Sequence, residues 1–231
     1  MESLFTTILW DMDDTLLDFP YSQRYALKKC FRTIGREITE EQIARYSRIN
    51  DDYWKRLELG EVTREELLTG RFSTLFKEYG IEGVNVEELH REYEEALGSV
   101  FLFRDDGLSI VRSFQGKVRQ YVITNGISAV ARNKLKISGL EEVVDGIFVS
   151  EEIGSPKPGK KFFDHCLERI PEKDKSKILI VGDSLTSDIR GGVQMGIPTC
   201  WYRPEGRENN TPWKPDHEIN DLHMVYDIVM I

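Results

Sequence analysis

Short apolar runs alternate with helical patterns through the second half of the chain, and one further run lies near its start. Residues 4–10 are apolar and β-favouring, and the run stops at Asp11. Similar runs predict strands at residues 118–124, 147–149, 178–181 and 199–202. Helical patterns occupy residues 106–114, 128–137, 160–169 and 188–195. Because strands that alternate with helices form βαβ units, the pattern predicts an α/β fold with a doubly wound parallel sheet.

The segment from residue 19 to residue 98 has a helical pattern throughout. Three helix starts have the residues of a capping box, in the pairs Thr39 with Gln42, Thr63 with Glu66 and Asn85 with Glu88. The first strand cannot bury both of its faces alone, so it should join the sheet formed by the later strands. We therefore predict a helical-bundle domain at 19–98, inserted into an α/β core domain formed by 1–18 and 99–231.

Charge and composition narrow the range of partners. The 231 residues carry a formal net charge of −9, with 40% hydrophobic and 31% charged residues. This balance is typical of a globular protein, and the acidic charge argues against a nucleic-acid polymer as the main partner, since binding to phosphate backbones needs a basic face. A small phosphorylated substrate remains compatible, because a pocket can be locally positive.

The N-terminus and the cysteines bear on the cellular compartment. No basic region precedes the first apolar run, and Asp11 interrupts it, so the sequence predicts neither a signal peptide nor a membrane span. The three cysteines are far apart, without a C-x-x-C spacing, which suits a reducing compartment. These features predict a cytoplasmic protein.

Four short segments with polar side chains follow the predicted strands. They are Asp11-Met12-Asp13-Asp14-Thr15, Thr124-Asn125-Gly126, Ser155-Pro156-Lys157-Pro158, and the segment from Gly182-Asp183 to Asp188. Open α/β sheets build their sites outside the carboxyl ends of their strands, so we expect these segments to converge there.

The first segment places two carboxylates two residues apart at the end of a strand, where both can face one pocket. Asp11 and Asp13 would then repel each other, and burial would increase the cost. A bound cation is the usual remedy, and hard oxygen ligands favour Mg²⁺. Asp183 and Asp188 would add carboxylates from another strand end. In the alternative interpretation, Asp13 belongs to a polar turn and Asp188 is a helix N-cap.

Two other segments carry groups that could bind phosphate. The hydroxyl of Thr124 and nearby backbone N–H groups could contact phosphate oxygens, or the hydroxyl could instead cap the following helix. Lys157 lies between two prolines that stiffen its loop, so it could offset charge on a phosphate. A solvated surface lysine is the alternative for Lys157.

Together the four segments resemble the motifs of the haloacid dehalogenase superfamily of phosphohydrolases, and they occur in that family's order. The resemblance spans nearly the whole chain, since the helical insertion falls where the family places its cap domain. The segments 123–126, 150–154 and 187–192 resemble the pyrimidine 5'-nucleotidase branch. Asn50 with Trp54, and Arg71, are similarly placed in the cap.

The resemblance implies a role for each residue. Asp11 would be the nucleophile that forms an aspartyl-phosphate, and Asp13 would be the general acid and base. The phosphate ligands would be Thr124, Asn125 and Lys157. The Mg²⁺ ligands would be Asp11, the Asp13 backbone carbonyl, Asp183 and, in support, Asp188. The expected substrate is a small phosphomonoester, with a nucleoside 5'-monophosphate as the favoured candidate and Asn50, Trp54 and Arg71 as its cap contacts.

Three alternatives differ from this prediction. A sugar-phosphate phosphatase or a phosphomutase would use the same motifs, although a mutase must protect its aspartyl-phosphate from water. A signalling receiver domain also places acidic residues and a lysine around a phosphorylated aspartate, but its lysine follows the last motif, whereas Lys157 precedes Asp183. A binding module without activity is disfavoured because every motif position holds a chemically competent residue.

Overall fold

Six parallel strands form one sheet in the computed structural model, which describes residues 3–204 and 206–230. The strands are β1 (Thr7–Asp11), β2 (Arg119–Thr124), β3 (Gly146–Val149), β4 (Ile178–Gly182), β5 (Thr199–Tyr202) and β6 (His217–Ile219). Their order across the sheet is β3-β2-β1-β4-β5-β6, so β1 lies between β2 and β4. All five strand pairings are parallel, which confirms the predicted fold class.

Apolar side chains cover both faces of the sheet. In β1, Ile8 and Trp10 pack into one hydrophobic cluster and Leu9 packs into another. The neighbouring strands alternate in the same way, with Val122, Leu179 and Val181 in the first cluster and Ile123, Ile178 and Ile180 in the second. A strand that is buried on both faces reads as a continuous apolar run, which explains the sequence pattern of β1 and β4.

Ten α-helices are present in the described residues. They are α1 (Phe19–Thr33), α2 (Glu40–Glu58), α3 (Arg64–Tyr79), α4 (Val86–Gly98), α5 (Gly107–Ser113), α6 (Ser128–Ser138), α7 (Ser150–Ile153), α8 (Lys160–Arg169), α9 (Arg190–Met195) and α10 (Met224–Val229). The residues before α9, Leu185–Ile189, form one π-helical turn, so α9 begins two residues later than the sequence predicts. Within the described parts of the chain, no helix has the length and apolar character needed to cross a bilayer.

The chain divides into two units. Met1–Asp18 and Phe101–Ile231 form the first unit, which contains the sheet, and Phe19–Val100 forms the second, which contains α1 to α4. The second unit has an aromatic centre in which the rings of Tyr46 and Phe72 lie 4.9 Å apart and those of Phe72 and Tyr93 lie 5.3 Å apart.

N-cap residues define where α2, α3 and α4 begin in the second unit. Thr39 and Thr63 both form complete capping boxes, with Gln42 and Glu66 as their N3 partners. Asn85 accepts a hydrogen bond from the backbone of Glu88 without the reciprocal bond. Hydroxyl, carboxamide and carboxylate oxygens thus accept from backbone N–H groups that the first helical turn would otherwise leave unpaired.

Substitution Thr63→Ala should destabilise the protein through the N-terminus of α3. The variant loses the Thr63 Oγ1 acceptor for the Glu66 backbone N–H, which lies 3.2 Å away. We expect the free energy of unfolding to fall by about 1 kcal/mol and the melting temperature by about 2–4 °C. Circular dichroism during thermal unfolding measures both.

Ser73→Ala is the matched control, because it removes an exposed hydroxyl from the middle of the same helix. Alanine has the higher helix propensity there, so the control should unfold at or slightly above the wild-type temperature. Equal melting temperatures for Thr63→Ala and wild type would contradict the assigned cap.

Candidate active site

Asp11 is the last residue of β1, and its side chain is held at both oxygens. The chain turns back directly after the strand, where Leu16 and Leu17 donate backbone hydrogen bonds to the Met12 carbonyl. This turn brings the Thr15 hydroxyl to Asp11, so that Oγ1 donates to Oδ2 at 3.0 Å. The backbone N–H of Asp183 donates to the same hydroxyl at 3.1 Å, so Thr15 connects the ends of β1 and β4.

Lys157 is buried beside Asp11. Its Nζ donates to Asp11 Oδ1 at 2.7 Å, to Asp188 Oδ1 at 2.7 Å and to the Ile123 carbonyl at 3.1 Å. Burial by itself would lower the pKa of Lys157, but the Asp11 and Asp188 carboxylates outweigh it and raise that pKa. Lys157 is therefore a permanent positive charge in the site rather than a solvated surface residue.

Asn125 positions the loop that carries Lys157. Its Oδ1 accepts from the Lys157 backbone N–H at 2.8 Å, and its Nδ2 donates to the Lys157 carbonyl at 2.9 Å. The role of Asn125 as a phosphate ligand stays a prediction, and its side chain contacts the Lys157 backbone. No sequence signal identified this pairing, because the two residues are 32 positions apart.

Thr124 ends β2 and forms a tight turn with Gly126. The Gly126 N–H donates to Thr124 Oγ1 at 2.9 Å, so the hydroxyl contacts the turn before α6 and does not cap the helix itself, whose N-cap is Ile127. A Cβ at position 126 would lie 3.1 Å from Thr124 Oγ1, which is tighter than most side-chain contacts. Glycine therefore permits the close backbone approach that this turn requires.

Asp13 lies two residues beyond Asp11 and pairs with a lysine that sequence reasoning missed. Lys134 on α6 donates from Nζ to Asp13 Oδ1 at 2.8 Å. The Lys134 side chain has no exposed surface, whereas that of Asp13 is 25% exposed. Helical periodicity could have revealed Lys134, because it falls on the buried face of α6 with Ala131 and Leu135.

Asp14 pairs with Arg104. Its backbone is in the left-handed region at φ +66°, and its Oδ1 accepts from Arg104 Nη2 at 2.9 Å. Burial raises the pKa of Asp14 to about 6, although the arginine opposes the increase. The ion pair anchors the turn after β1 to the residues that precede α5.

Asp188 approaches the β4 end closely because residue 182 is glycine. The Ser184 N–H donates to Asp188 Oδ2 at 3.2 Å, which holds the side chain back against the strand. A Cβ on Gly182 would lie 2.3 Å from Asp188 Oδ2, so no side chain fits there without moving Asp188. Glycine is required at position 182 because the Asp188 carboxylate packs directly against its backbone, and not because the backbone there adopts a positive φ angle.

Asp11, Asp183 and Asp188 form an acidic cluster in which one oxygen from each lies within 4.8 Å of the others. Burial raises the pKa of Asp183 well above its usual range, and the Asp11, Asp14 and Asp188 carboxylates add to the increase. Burial likewise raises the pKa of Asp11 to about 7, although Lys157 opposes the increase.

The donor set of the cluster suits a small, hard cation. The three carboxylates of the cluster outnumber its single buried ammonium, that of Lys157, which contacts Asp11 and Asp188. Oxygen-only donors of this kind are the preferred ligands of Mg²⁺. One Asp183 oxygen also accepts from Arg207 at 3.2 Å, and this arginine is 41% exposed in the loop after β5, where sequence analysis assigned it no role. The Asp13 backbone carbonyl stays a predicted further ligand.

Two of the three predicted substrate contacts in the helical unit meet each other. Arg71 on α3 donates from Nη1 to Asn50 Oδ1 at 2.7 Å, and each residue is only 2% exposed. The guanidinium also lies 5.6 Å from the ring centre of Tyr93. Nε and Nη2 of Arg71 have no hydrogen-bond partner among residues 3–204 and 206–230. Trp54 is half-buried, with Arg64 placed 5.9 Å from its ring centre.

Comparison with known proteins agrees with the motif analysis. The family model described as haloacid dehalogenase-like hydrolase matches residues 5–196. A protein described as a HAD-hydrolase, YfnB of Bacillus subtilis, is 37% identical over 98% of this chain and 96% of its own length. The pyrimidine 5'-nucleotidase YjjG of Escherichia coli is 32% identical over 94% of each chain. The pyrimidine 5'-nucleotidase PynA of Streptococcus pneumoniae is 34% identical over 95% of this chain and 93% of its own.

A solved structure extends the comparison to the fold. The crystal structure of the same Bacillus protein superimposes with a TM-score of 0.93 at 36% identity, and the match covers 98% of this chain and 99% of that one. The Bacillus protein was crystallised with bound magnesium, and its structure is described as revealing an interdomain movement.

Calorimetric titration with Mg²⁺ tests the acidic cluster without an assay of activity. We expect the wild-type chain to bind the ion and Asp183→Asn to bind it more than roughly tenfold more weakly, since the variant removes one charged oxygen ligand. Asp227→Asn, which neutralises an exposed carboxylate on α10, is the control and should bind like the wild type. Equal affinities of Asp183→Asn and wild type would exclude Asp183 as a ligand.

Proposed function

The chain belongs to the haloacid dehalogenase-like hydrolase family, and on that basis we propose that it is a phosphatase of small phosphomonoesters. The proposed reaction passes through an aspartyl-phosphate on Asp11. The supporting observation is the environment of Asp11, a buried carboxylate held by Lys157 and Thr15 inside an acidic cluster. Phosphomonoesters hydrolyse extremely slowly in water, and a covalent intermediate divides that barrier into two steps.

Asp11 and Asp13 divide the chemistry between them. In the first step an Asp11 oxygen attacks phosphorus, and Asp13 donates a proton to the leaving oxygen as its bond to phosphorus breaks. In the second step Asp13 takes a proton from water, whose oxygen attacks phosphorus and releases the Asp11 carboxylate. Since the Asp13 side chain is 25% exposed and lies two residues beyond Asp11, it can reach both the leaving group and water.

The remaining site residues hold charge and phosphate. Lys157 balances the negative charge of the Asp11 carboxylate and would offset the negative charge on the oxygens of the transferred phosphate. Thr124, at the end of β2, would bind the same phosphate oxygens. Asn125 acts through the Lys157 backbone that it holds. Mg²⁺, held by Asp11, Asp183 and Asp188, would supply further stabilisation of negative charge when bound.

We assign the substrate to the pyrimidine nucleoside 5'-monophosphates. Two relatives that match nearly the whole chain are pyrimidine 5'-nucleotidases. Asn50, Trp54 and Arg71 in the helical unit are the proposed contacts to the base. The Nε and Nη2 groups of Arg71 form the edge of a guanidinium that binds planar acceptors, and a pyrimidine offers carbonyl oxygens in one plane.

Substitution Asp11→Asn should abolish turnover and leave the fold intact, because the side chains are nearly isosteric. We expect a substrate labelled on its phosphate to leave covalent label on acid-quenched wild type and none on Asp11→Asn. Asp227→Asn is the control, and it should retain both turnover and label. Label on the Asp11→Asn protein would place the nucleophile elsewhere.

Substitution Arg71→Met should weaken turnover of nucleotides selectively. We expect kcat/KM for uridine 5'-monophosphate to fall by roughly 10- to 100-fold, because a charged hydrogen bond to the base is lost. For p-nitrophenyl phosphate, kcat/KM should stay within about twofold of wild type. This substrate has no nucleobase, so the substitution removes no hydrogen bond to it.

Arg48→Met is the matched control, because it removes an exposed arginine from α2. It should leave both rates unchanged. Equal losses for the two substrates in Arg71→Met would assign Arg71 to the stability of the helical unit. Preferential turnover of sugar phosphates by the wild type would keep the mechanism and overturn the assigned substrate class.

A further inference from the structure

Lys134 is an unusual residue for its place in the fold. The buried face of α6 otherwise consists of Val130, Ala131, Leu135 and Ser138, and the Lys134 side chain has no exposed surface among them. An ammonium group loses its hydration there, at a cost of several kcal/mol for a typical buried ion. The carboxylate of Asp13, at 2.8 Å from Nζ, is the charge that compensates it.

Stability alone does not account for this ion pair. Well-packed apolar residues of similar volume often match or exceed the stability that a buried ion pair supplies. Position 134 lies on an apolar helix face, so leucine or methionine would suit the packing. The partner of the lysine is Asp13, the proposed general acid and base.

The contact leaves the two oxygens of Asp13 in different environments. Oδ1 accepts from Lys134, whereas Oδ2 has no hydrogen-bond donor in the part of the chain that the structure describes. Oδ2 faces the turn after β2, where it lies 3.6 Å from the position that a Cβ on Gly126 would occupy. This turn also carries Thr124, a proposed phosphate ligand.

We propose that Lys134 is a positioning residue for Asp13, fixing Oδ1 so that Oδ2 carries out both proton transfers. The inference rests on the proposed function and adds an assignment of atoms to it. In the first step the proton on Oδ2 moves to the leaving oxygen, which keeps the electron pair of the broken P–O bond. In the second step Oδ2 takes a proton from water as the water oxygen bonds to phosphorus, and the electron pair of the broken bond returns to Asp11.

Lys134→Met tests the assignment, because methionine preserves length and packing and removes the ammonium. Asp13 is partly exposed and stays hydrated in the variant, so a folded protein is expected. Lys136→Met is the matched control, since it removes an exposed lysine from the same helix. Thermal unfolding checks that both variants fold.

Single-turnover and pre-steady-state experiments measure how the rate of product release from each variant depends on the leaving group. Release of uridine from its 5'-monophosphate needs a proton donor, and it should slow by roughly 100-fold in Lys134→Met. Release of p-nitrophenolate needs none, and it should stay within about threefold of wild type, since general acid catalysis contributes little for such a leaving group. The second step still needs a base, so p-nitrophenyl phosphate should give a burst of one product per enzyme and then slow turnover.

A double-mutant cycle with Asp13→Asn separates positioning from a structural role. If Lys134 acts through Asp13, Lys134→Met should change the rate of uridine release by less than about twofold in the Asp13→Asn background. Additive losses, or equal losses for both leaving groups, would overturn the inference and leave the proposed function standing. Absence of wild-type turnover on both substrates would instead overturn the proposed function itself.

Discussion

The parallel sheet brings several carboxylates together at the carboxyl ends of its central strands. Their mutual repulsion is the constraint around which this protein is organised. Strand β1 pairs in register with β2 and with β4, so Asp11 ends its strand beside Ile123 while Trp10 pairs with Val181. The carboxylates that follow those strands must therefore share one buried volume. The pKa values of Asp11 and Asp183 rise because burial and like charge both favour the neutral form. Lys157 offsets part of this charge, and the carboxylates that it leaves uncompensated make the carboxyl ends of these strands a candidate cation site.

Several parts of the chain hold this unfavourable arrangement in place. Thr15 joins the ends of two strands, Asn125 holds both sides of the Lys157 backbone, and the glycine at position 182 lets Asp188 approach. Thr15 and Asn125 fix groups around the acidic cluster, and Gly182 leaves room for the Asp188 side chain beside the strand. Active sites commonly retain such local strain at the expense of overall stability, because function depends on the placement of the charges.

The sequence predicts the sheet well because buried strands leave a local signal. Buried strands such as β4 appear as apolar runs, and the polar segments directly follow them. Strand β6 is missed because its three residues, His-Glu-Ile, lie at the edge of the sheet and are too few to show a period. Lys134 and the role of Asn125 are missed for another reason: each depends on a partner more than 30 positions away, which only the tertiary fold brings near. The proximity of Arg207 to Asp183, 24 positions away in sequence, likewise arises only in the tertiary fold.

Trp201 gives the chain an internal optical reporter. Its indole Nε1 donates to the Asp183 carbonyl at 2.9 Å, and its side chain is buried in β5. Thr15 connects the backbone N–H of the same aspartate to Asp11. A rearrangement at Asp11 or Asp183 that moves the Asp183 backbone would therefore alter the hydrogen bond of a fluorophore. Emission from this indole could follow the site through its cycle without a label or a chromogenic substrate.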